Sequence, residues 1–242
     1  MKTSSAEHVQ RGQEFTVTIK RIGINGEGVG YFRRKAVFVE DALPEEVVRI
    51  RVTEVSPTYM KAIVVKREKT SENRQTPDCP IFDRCIGCQM QHMVYDAQLR
   101  AKEELVAEAF YRYCNIRRVH LPLKPMIGMK YPWHYRERAQ WQVESIKGKL
   151  LAGLYNPVSR KVSDLTGCPI ENKALNKAMK TAKQALKESK LPIFQEKPRK
   201  EGVRTLLGRI SESTGEIQLI IVTSAAAFPE LDSWVKLIRE RV

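Results

Sequence analysis

The chain has 242 residues, of which 42% are hydrophobic and 29% charged, so its apolar content suffices for folded domains and excludes a disordered polypeptide. No stretch approaches the apolar length of a membrane span, and the polar residues 1–11 exclude a signal-peptide core there. The formal net charge of +14 favours a polyanionic partner, chiefly nucleic acid. We therefore expect a cytoplasmic protein that binds nucleic acid.

Residues 1–10 are predicted to form a flexible tail, and residues 11–69 a small barrel. Short apolar runs, such as Phe15, Val17 and Ile19, alternate with polar residues, and glycines or prolines separate one run from the next. About five short strands at this spacing are typical of a closed barrel.

Basic side chains surround a glycine-rich turn of the predicted barrel. Five of them are candidates for contacts with RNA phosphates: Lys20, Arg21, Arg33, Arg34 and Lys35. An ordinary solvated barrel surface explains each of these charges equally well. Tyr31 and Phe32 are candidates for base stacking, although burial in the barrel explains aromatic residues at these positions better.

Residues 70–242 are predicted to form a second, mixed α/β domain. A helix is expected from Tyr95 to about Tyr113, because apolar residues recur there at helical spacing. Its predicted apolar face consists of Leu99, Val106, Phe110 and Tyr113. Strands are expected at 141–143, 150–155, 205–210 and 217–223, and a last helix at 229–241.

A second helix is predicted from Lys173 to Lys190, with Asn172 as its N-cap and Pro192 beyond its end. Lysines at positions 173, 177, 180, 183, 187 and 190 lie along one side of it, and apolar residues along the other. Because any surface helix shows this division, we expect the lysines to form an ordinary solvated face.

Four of the five cysteines provide the strongest chemical signal in the chain. Three of them fall within ten residues in the pattern Cys79-x5-Cys85-x2-Cys88, and Cys168 follows 80 residues later. Four thiolates are the ligand set of a cubane iron–sulfur cluster or of a tetrahedral zinc ion. In a cytoplasmic chain, such clustering favours a metal over disulfides.

The spacing alone leaves iron–sulfur and zinc nearly equal. The wide first gap is unusual for a zinc finger and no histidine pair completes one, although His92 is a candidate single ligand. Radical cluster enzymes use a Cys-x3-Cys-x2-Cys run that leaves one iron open. The longer gap and the fourth cysteine favour a fully ligated cluster that ties Cys168 to the earlier segment.

Several motifs resemble those of the RNA uracil-5-methyltransferase family. One comprises Cys79-Pro80, Cys85-Ile86-Gly87-Cys88-Gln89-Met90-Gln91-His92, Tyr95, Gln98, Leu99 and Lys102. Others are Cys168-Pro169-Ile170 and Tyr135-Arg136-Glu137-Arg138-Ala139-Gln140. In the barrel, Asn25-Gly26-Glu27-Gly28-Val29-Gly30-Tyr31, Val37-Phe38-Val39 and Ala42-Leu43-Pro44 resemble the TRAM domain, an OB-like RNA-binding module.

This resemblance implies S-adenosylmethionine-dependent methylation of uridine C5 in RNA, with ribosomal RNA as the expected partner. In the family a thiolate adds to C6 of uracil, C5 takes the methyl group, and a base removes the C5 proton. The resemblance also implies a [4Fe–4S] cluster on Cys79, Cys85, Cys88 and Cys168. It favours RNA contacts from Arg136, Arg138 and Gln140, which alternate onto one face of a predicted strand.

Family members also carry a Rossmann-like domain with the methyl-donor site and a catalytic cysteine. We expect this domain to be absent, because the glycines at 26, 28 and 30 do not form G-x-G-x-x-G and Cys114 lies in a helix-like segment. The predicted fold class is α+β: an OB-like barrel followed by a central α/β domain with a four-cysteine cluster site. The predicted function is an inactive N-terminal portion of an rRNA uracil-5-methyltransferase; the alternative is a stand-alone, non-catalytic RNA-binding protein with a structural four-cysteine metal site.

Overall fold

The computed structural model describes residues 9–156, 159–225 and 228–242. They form two compact units, each built from separate stretches of chain. The first unit runs to Pro77 and includes Gln89–Gly128, and the second contains Asp78–Cys88 and Met129–Val242. The units therefore interleave in sequence, whereas the predicted domains meet at residue 70. None of the helices in these ranges is long and apolar enough to cross a membrane.

The first unit is built on a closed five-stranded barrel. Its strands are β1 (Glu14–Ile22), β2 (Gly28–Phe32), β3 (Lys35–Glu40), β4 (Val47–Val55) and β5 (Tyr59–Lys69). Around the barrel their order is β1-β2-β3-β5-β4, and β3 runs parallel to β5. Alternate residues of a strand point inward, so Val17 and Ile19 are buried while Thr18 between them is exposed. The alternating runs form the barrel that they predicted.

Helix α1 (Tyr95–Cys114) belongs to the same unit and is followed by a 3-10 turn, Arg118–His120. Its buried residues are Ala97, Ala101 and Ala107. The predicted apolar face is wrong, because Phe110 is 41% and Tyr113 87% exposed. The helix therefore packs along its alanine face, and the larger side chains Phe110 and Tyr113 lie outside.

The second unit is an antiparallel sheet with two helices. Its strands are β6 (Arg138–Ile146), β7 (Lys149–Asn156), β8 (Lys161–Asp164), β9 (Val203–Ile210) and β10 (Ile217–Thr223), in the order β10-β9-β6-β7-β8. The helices are α2 (Lys173–Ser189) and α3 (Leu231–Arg241). As predicted, Asn172 caps α2, since its side chain accepts from the backbone N–H of Ala174 at 2.9 Å.

The core of this unit lies between the sheet and α2. Trp141 of β6 and Met179 of α2 are both fully buried there. Helix α3 adds Trp234, whose indole Nε1–H donates to the carbonyl of Ala182 at 3.3 Å. The apolar side of the predicted helix is therefore its packed side, and the lysines lie opposite the core.

A buried carboxylate, Glu46, joins separate parts of the first unit. Its side chain is 0% exposed, and its Oε1 accepts from Nε of Arg74 at 2.6 Å while Oε2 accepts from the N–H of Leu43 at 3.0 Å. Arg74 also donates to Asp41 at 3.0 Å. Burial acts to raise the pKa of Glu46, but the hydrogen bonds from Arg74 and Leu43 hold that pKa below its usual 4.5. The folded unit therefore contains a buried, paired carboxylate.

Replacing Arg74 with alanine should destabilise the first unit by about 3–5 kcal/mol, because the carboxylate of Glu46 stays buried without its main cationic partner. Urea unfolding followed by far-UV circular dichroism measures the loss. Tryptophan fluorescence provides an internal control, because Trp133, Trp141 and Trp234 all lie in the second unit. The fluorescence transition should keep its midpoint.

The matched control is Arg51→Ala, which removes an exposed ion pair with Glu14. Exposed ion pairs of this kind contribute little to stability, because solvent screens them. An equal loss of stability in the Arg51 and Arg74 variants would contradict a special role for the buried pair.

The same network predicts how the stability of the first unit depends on pH. The pKa of Glu46 is lower in the folded unit than its usual 4.5, so its contribution is fully present above that value. The contribution is lost as the pH falls through the lowered folded pKa. The circular-dichroism midpoint should fall on acidification below pH 4.5 and fall less in Arg74→Ala; parallel profiles would contradict this assignment.

Candidate metal centre and RNA-binding surfaces

Three of the candidate ligands lie on the short segment Asp78–Cys88 of the second unit. The segment folds into consecutive turns: the N–H of Phe82 donates to the carbonyl of Cys79 at 3.1 Å, and the N–H of Cys85 donates to that of Ile81 at 2.8 Å. The gap between the first two cysteines is therefore occupied by short hydrogen-bonded turns.

Side chains fasten this segment to the unit. Ile81 packs against the hydrophobic core, and the hydroxyl of Ser163 on β8 donates to the carbonyl of Arg84 at 2.9 Å. A Cβ at Gly87 would lie 2.8 Å from Cδ1 of Leu154 and 3.4 Å from Sγ of Cys85. Only glycine fits at that position without a shift, so the turn between the second and third cysteines is closely packed.

Cys168 lies in the loop between β8 and α2, and its backbone is held from two sides. Its carbonyl accepts from the side-chain amide of Asn176 on α2 at 2.8 Å and from the N–H of Glu171 at 3.2 Å. The N–H of Arg136 donates to the carbonyl of Ile170 at 2.8 Å. The fourth cysteine is therefore on a fixed loop.

The thiols perturb one another electrostatically. Burial, assisted by Glu171 and Cys88, raises the pKa of the Cys168 thiol to about 11. Burial likewise raises the pKa of Cys85, with further contributions from Cys79 and Cys88. Both shifts favour the neutral thiol, because burial removes a thiolate from water and neighbouring negative charges repel it. The two cysteine-bearing segments therefore share one electrostatic environment.

This donor set fits a soft metal centre. Half-buried thiols that resist ionisation together become good ligands when a cation compensates their charges, and metal binding then releases their protons. Within residues 9–156, 159–225 and 228–242, no three His, Cys, Asp or Glu side chains already stand at metal-binding spacing. Electrostatic coupling acts over a longer range than ligation, so the two observations are compatible.

The remaining cysteine and the candidate histidine lie elsewhere. Cys114 is exposed at the end of α1 in the first unit. His92 belongs to the same unit and is buried, and burial lowers its pKa, as does the nearby Arg74. Its surroundings are those of the Glu46 network.

The basic residues predicted to contact RNA differ in accessibility on the barrel. Lys20, Arg33 and Arg34 are exposed. Arg21 is largely covered and lies 3.8 Å from the carboxylate of Glu108. Lys35 donates from Nζ to the carbonyl of Ser56 at 3.3 Å. Three of the five cations therefore present an open face to solvent.

The two predicted stacking residues have different surroundings. Phe32 stacks on Phe15 with ring centroids 3.9 Å apart, and the guanidinium of Arg33 lies 5.3 Å from the ring of Phe32. Tyr31 is 52% exposed. Phe32 is therefore part of a packed aromatic pair, and Tyr31 is the ring available to a base.

The three polar residues predicted to share a strand face in the second unit separate into two groups. Arg138 and Gln140 are exposed on β6, and a guanidinium nitrogen of Arg138 donates to Oε1 of Gln140 at 3.4 Å. Arg136 precedes the strand and is half-buried, and its charge acts to lower the pKa of both Cys85 and Glu171. Arg136 is therefore an electrostatic neighbour of the thiols.

Sequence reasoning missed two polar residues behind Cys168. Glu171 is buried, its Oε1 accepts from Nε1 of Trp141 at 3.1 Å, and burial raises its pKa. Asn176 holds the Cys168 carbonyl. The only signal for them in the sequence was their position three and eight residues after Cys168. That position does not distinguish a buried residue that holds the loop from an exposed polar residue.

Known proteins match this chain along almost its whole length. A family model described as the TRAM domain matches residues 8–65. An uncharacterized RNA methyltransferase of Halalkalibacterium halodurans is 42% identical over 97% of this chain and 50% of its own length. Another from Enterococcus faecalis is 36% identical over 97% of this chain and 51% of its own length. These matches support the RNA uracil-5-methyltransferase family that the sequence motifs indicated.

A solved structure has a fold similar to that of this chain. It is the Pyrococcus abyssi tRNA (uracil-54, C5)-methyltransferase in complex with S-adenosyl-L-homocysteine, with a TM-score of 0.60 and 20% identity. The match covers 90% of this chain and 48% of that one. The chain spans about half the length of the curated relatives it matches. The predicted TRAM domain is confirmed.

Two predictions made from the sequence are wrong. The fold class described the chain as lacking the methyltransferase domain, and the function described it as an inactive portion or a stand-alone binding protein. Instead, proteins named RNA methyltransferases match 97% of the chain, and the fold of a methyltransferase covers 90% of it. The error came from inferring the absence of a domain from the absence of G-x-G-x-x-G. That glycine pattern describes a single turn, so its absence does not exclude a fold.

Replacing Cys85 with serine should destabilise the second unit and leave the first almost unchanged, because the thiol lies on a segment fastened to the second unit's core. Thermal melts followed by tryptophan fluorescence report on the second unit, and circular dichroism at the end of that transition reports on what remains folded. Cys114→Ser is the matched control and should melt like the wild type. Equal destabilisation of both units by the Cys85 variant would contradict the assignment.

Proposed function

We propose that this protein is a cytoplasmic, S-adenosylmethionine-dependent methyltransferase acting on C5 of uridine in RNA. The observation that carries the proposal is the match of 97% of the chain to proteins named RNA methyltransferases, in a chain that begins with a TRAM barrel. The solved structure of similar fold holds S-adenosyl-L-homocysteine, which S-adenosylmethionine becomes when it gives up its methyl group. This supports S-adenosylmethionine as the donor.

The proposed resident group is a [4Fe–4S] cluster on Cys79, Cys85, Cys88 and Cys168. The four thiols fit it because they form an all-sulfur donor set on two segments of the second unit, and Cys88 contributes to the raised pKa of both Cys85 and Cys168. With four protein ligands the cluster supplies a structural cross-link and no open iron for substrate. The residues of this chain then hold the Cys168 loop against the segment of residues 79–88.

In the proposed reaction, the described residues bind and orient RNA. A uridine must leave its stack before a methyl group can reach C5, so the enzyme has to hold the strand on either side. Exposed cations of the barrel, Lys20, Arg33 and Arg34, can contact phosphates, and Tyr31 can stack on an unpaired base. Arg138 and Gln140 offer a second polar row, on β6.

Ribosomal RNA is the proposed target, although the solved structure of similar fold acts on tRNA by its name. A deletion of the gene, followed by nucleoside mass spectrometry of separated rRNA and tRNA, tests both the activity and the target. We expect loss of 5-methyluridine from rRNA and recovery on complementation. Loss confined to tRNA would replace the target, and unchanged 5-methyluridine in both pools would contradict the activity.

Metal analysis tests the cluster separately. The anaerobically purified chain should contain about four irons with matching sulfide and a broad visible absorbance. Cys88→Ser should lose this iron, whereas Cys114→Ser should retain it. One zinc and no iron in the wild type would overturn the cluster and favour a structural zinc site on the same thiols.

A further inference from the structure

The second unit contains a cavity of about 480 Å³ that the proposed function does not use. It opens between β7, the end of β8 and the polar side of α2. Its lining includes four lysines, Lys149, Lys180, Lys183 and Lys187, together with Asp164 and Thr166. We call it the lysine cavity. Its four lysines come from a strand and a helix, so they line the cavity from two sides.

The charges of the lysine cavity do not cancel. Its one lining carboxylate, Asp164, accepts from Nζ of Lys183 at 2.6 Å and from the N–H of Ala152 at 2.8 Å. No ion pair among the described residues involves Lys149, Lys180 or Lys187. Four positive charges against one negative charge leave a net excess of three positive charges on the lining.

The position of Lys180 supports a built site. A Cβ added to Gly167 would lie 3.3 Å from Nζ of Lys180 and 3.6 Å from its Cε. The side chain therefore lies along the loop that leads to Cys168, and glycine provides the room for it. The ammonium group of Lys180 therefore lies next to the loop at Gly167, although its backbone is on α2.

A second cavity, of about 340 Å³, has positive and negative side chains in its lining. It lies in the first unit and is lined by Arg21, Arg117 and Arg118 together with Glu104 and Glu108. There Arg21 lies 3.8 Å from Glu108, and Arg118 pairs with a further glutamate, Glu103. Its cations are therefore largely compensated, and it is a poor place for an anion. The lysine cavity is the anion-binding candidate of the two.

The residues of the lining also indicate which part of a nucleic acid the cavity can bind. It contains no aromatic side chain to stack on a base, whereas lysines act as flexible point charges suited to phosphate oxygens. We propose that the lysine cavity binds the phosphodiester backbone of the RNA substrate, without reading its sequence. The inference rests on the proposed function and adds to it a contact in the second unit, besides those of the barrel.

The test compares the whole chain with two double variants in titrations with a uridine-containing hairpin RNA over a range of salt. Lys180→Gln/Lys187→Gln removes two cavity charges. Lys173→Gln/Lys177→Gln removes two exposed lysines of the same helix that do not line the cavity. The cavity variant should bind several-fold more weakly, and the slope of log affinity against log salt should fall by about two, one for each lost phosphate contact.

The control variant should keep the wild-type affinity and slope, and tryptophan-fluorescence melts should show both variants folded. An equal loss in the two variants would overturn the cavity in favour of a general charge effect of the helix. Wild-type affinity in the cavity variant would also overturn the inference, while leaving the proposed function intact. Failure of the wild-type chain to bind RNA would overturn both.

Discussion

The second unit depends on one constraint, which is the placement of four half-buried thiols in a shared environment. Neutral thiols tolerate this arrangement, but four thiolates repel one another unless a cation compensates their charge. The surrounding structure holds the two segments that carry the thiols: Ile81 packs against the core, Ser163 donates to the carbonyl of Arg84, and Asn176 donates to that of Cys168. The sheet and α2 thus act as the frame of the candidate metal centre, and the loops between them carry its ligands.

The first unit also contains a polar group away from water, and there a positively charged side chain compensates it. Its buried polar centre is the carboxylate of Glu46, whose charge is compensated from within the protein by Arg74 and by the backbone N–H of Leu43. One unit therefore contains a charge balance that is complete in the polypeptide itself. The other contains the donor set of the proposed metal centre, and compensation of its charges would come from the bound metal.

The features that the sequence predicted well are those set by local periodicity. Alternation defined the barrel, and Asn172 marked the start of α2, because strand pleats and helix caps depend on near neighbours. Features that depend on distant packing were not predictable. Helix α1 buries its alanine face, which its apolar periodicity did not indicate. Arg136 lies near the thiols because the backbone of residues 134–136 hydrogen-bonds to the loop that carries Cys168. The lysine cavity forms only because residues of β7 and α2 line the same space. A missing motif proved a poor guide to the fold.

The interleaving of the two units has a consequence for synthesis on the ribosome. The cysteine segment of residues 79–88 is made with the first unit but belongs to the second, and Cys168 follows 80 residues after Cys88. At a translation rate of about 5–20 residues per second, Cys168 is synthesised roughly 4–16 s after Cys88. During that interval the three early thiols are open to oxidation or to a premature metal, so the rate of translation would affect the assembly of the proposed centre.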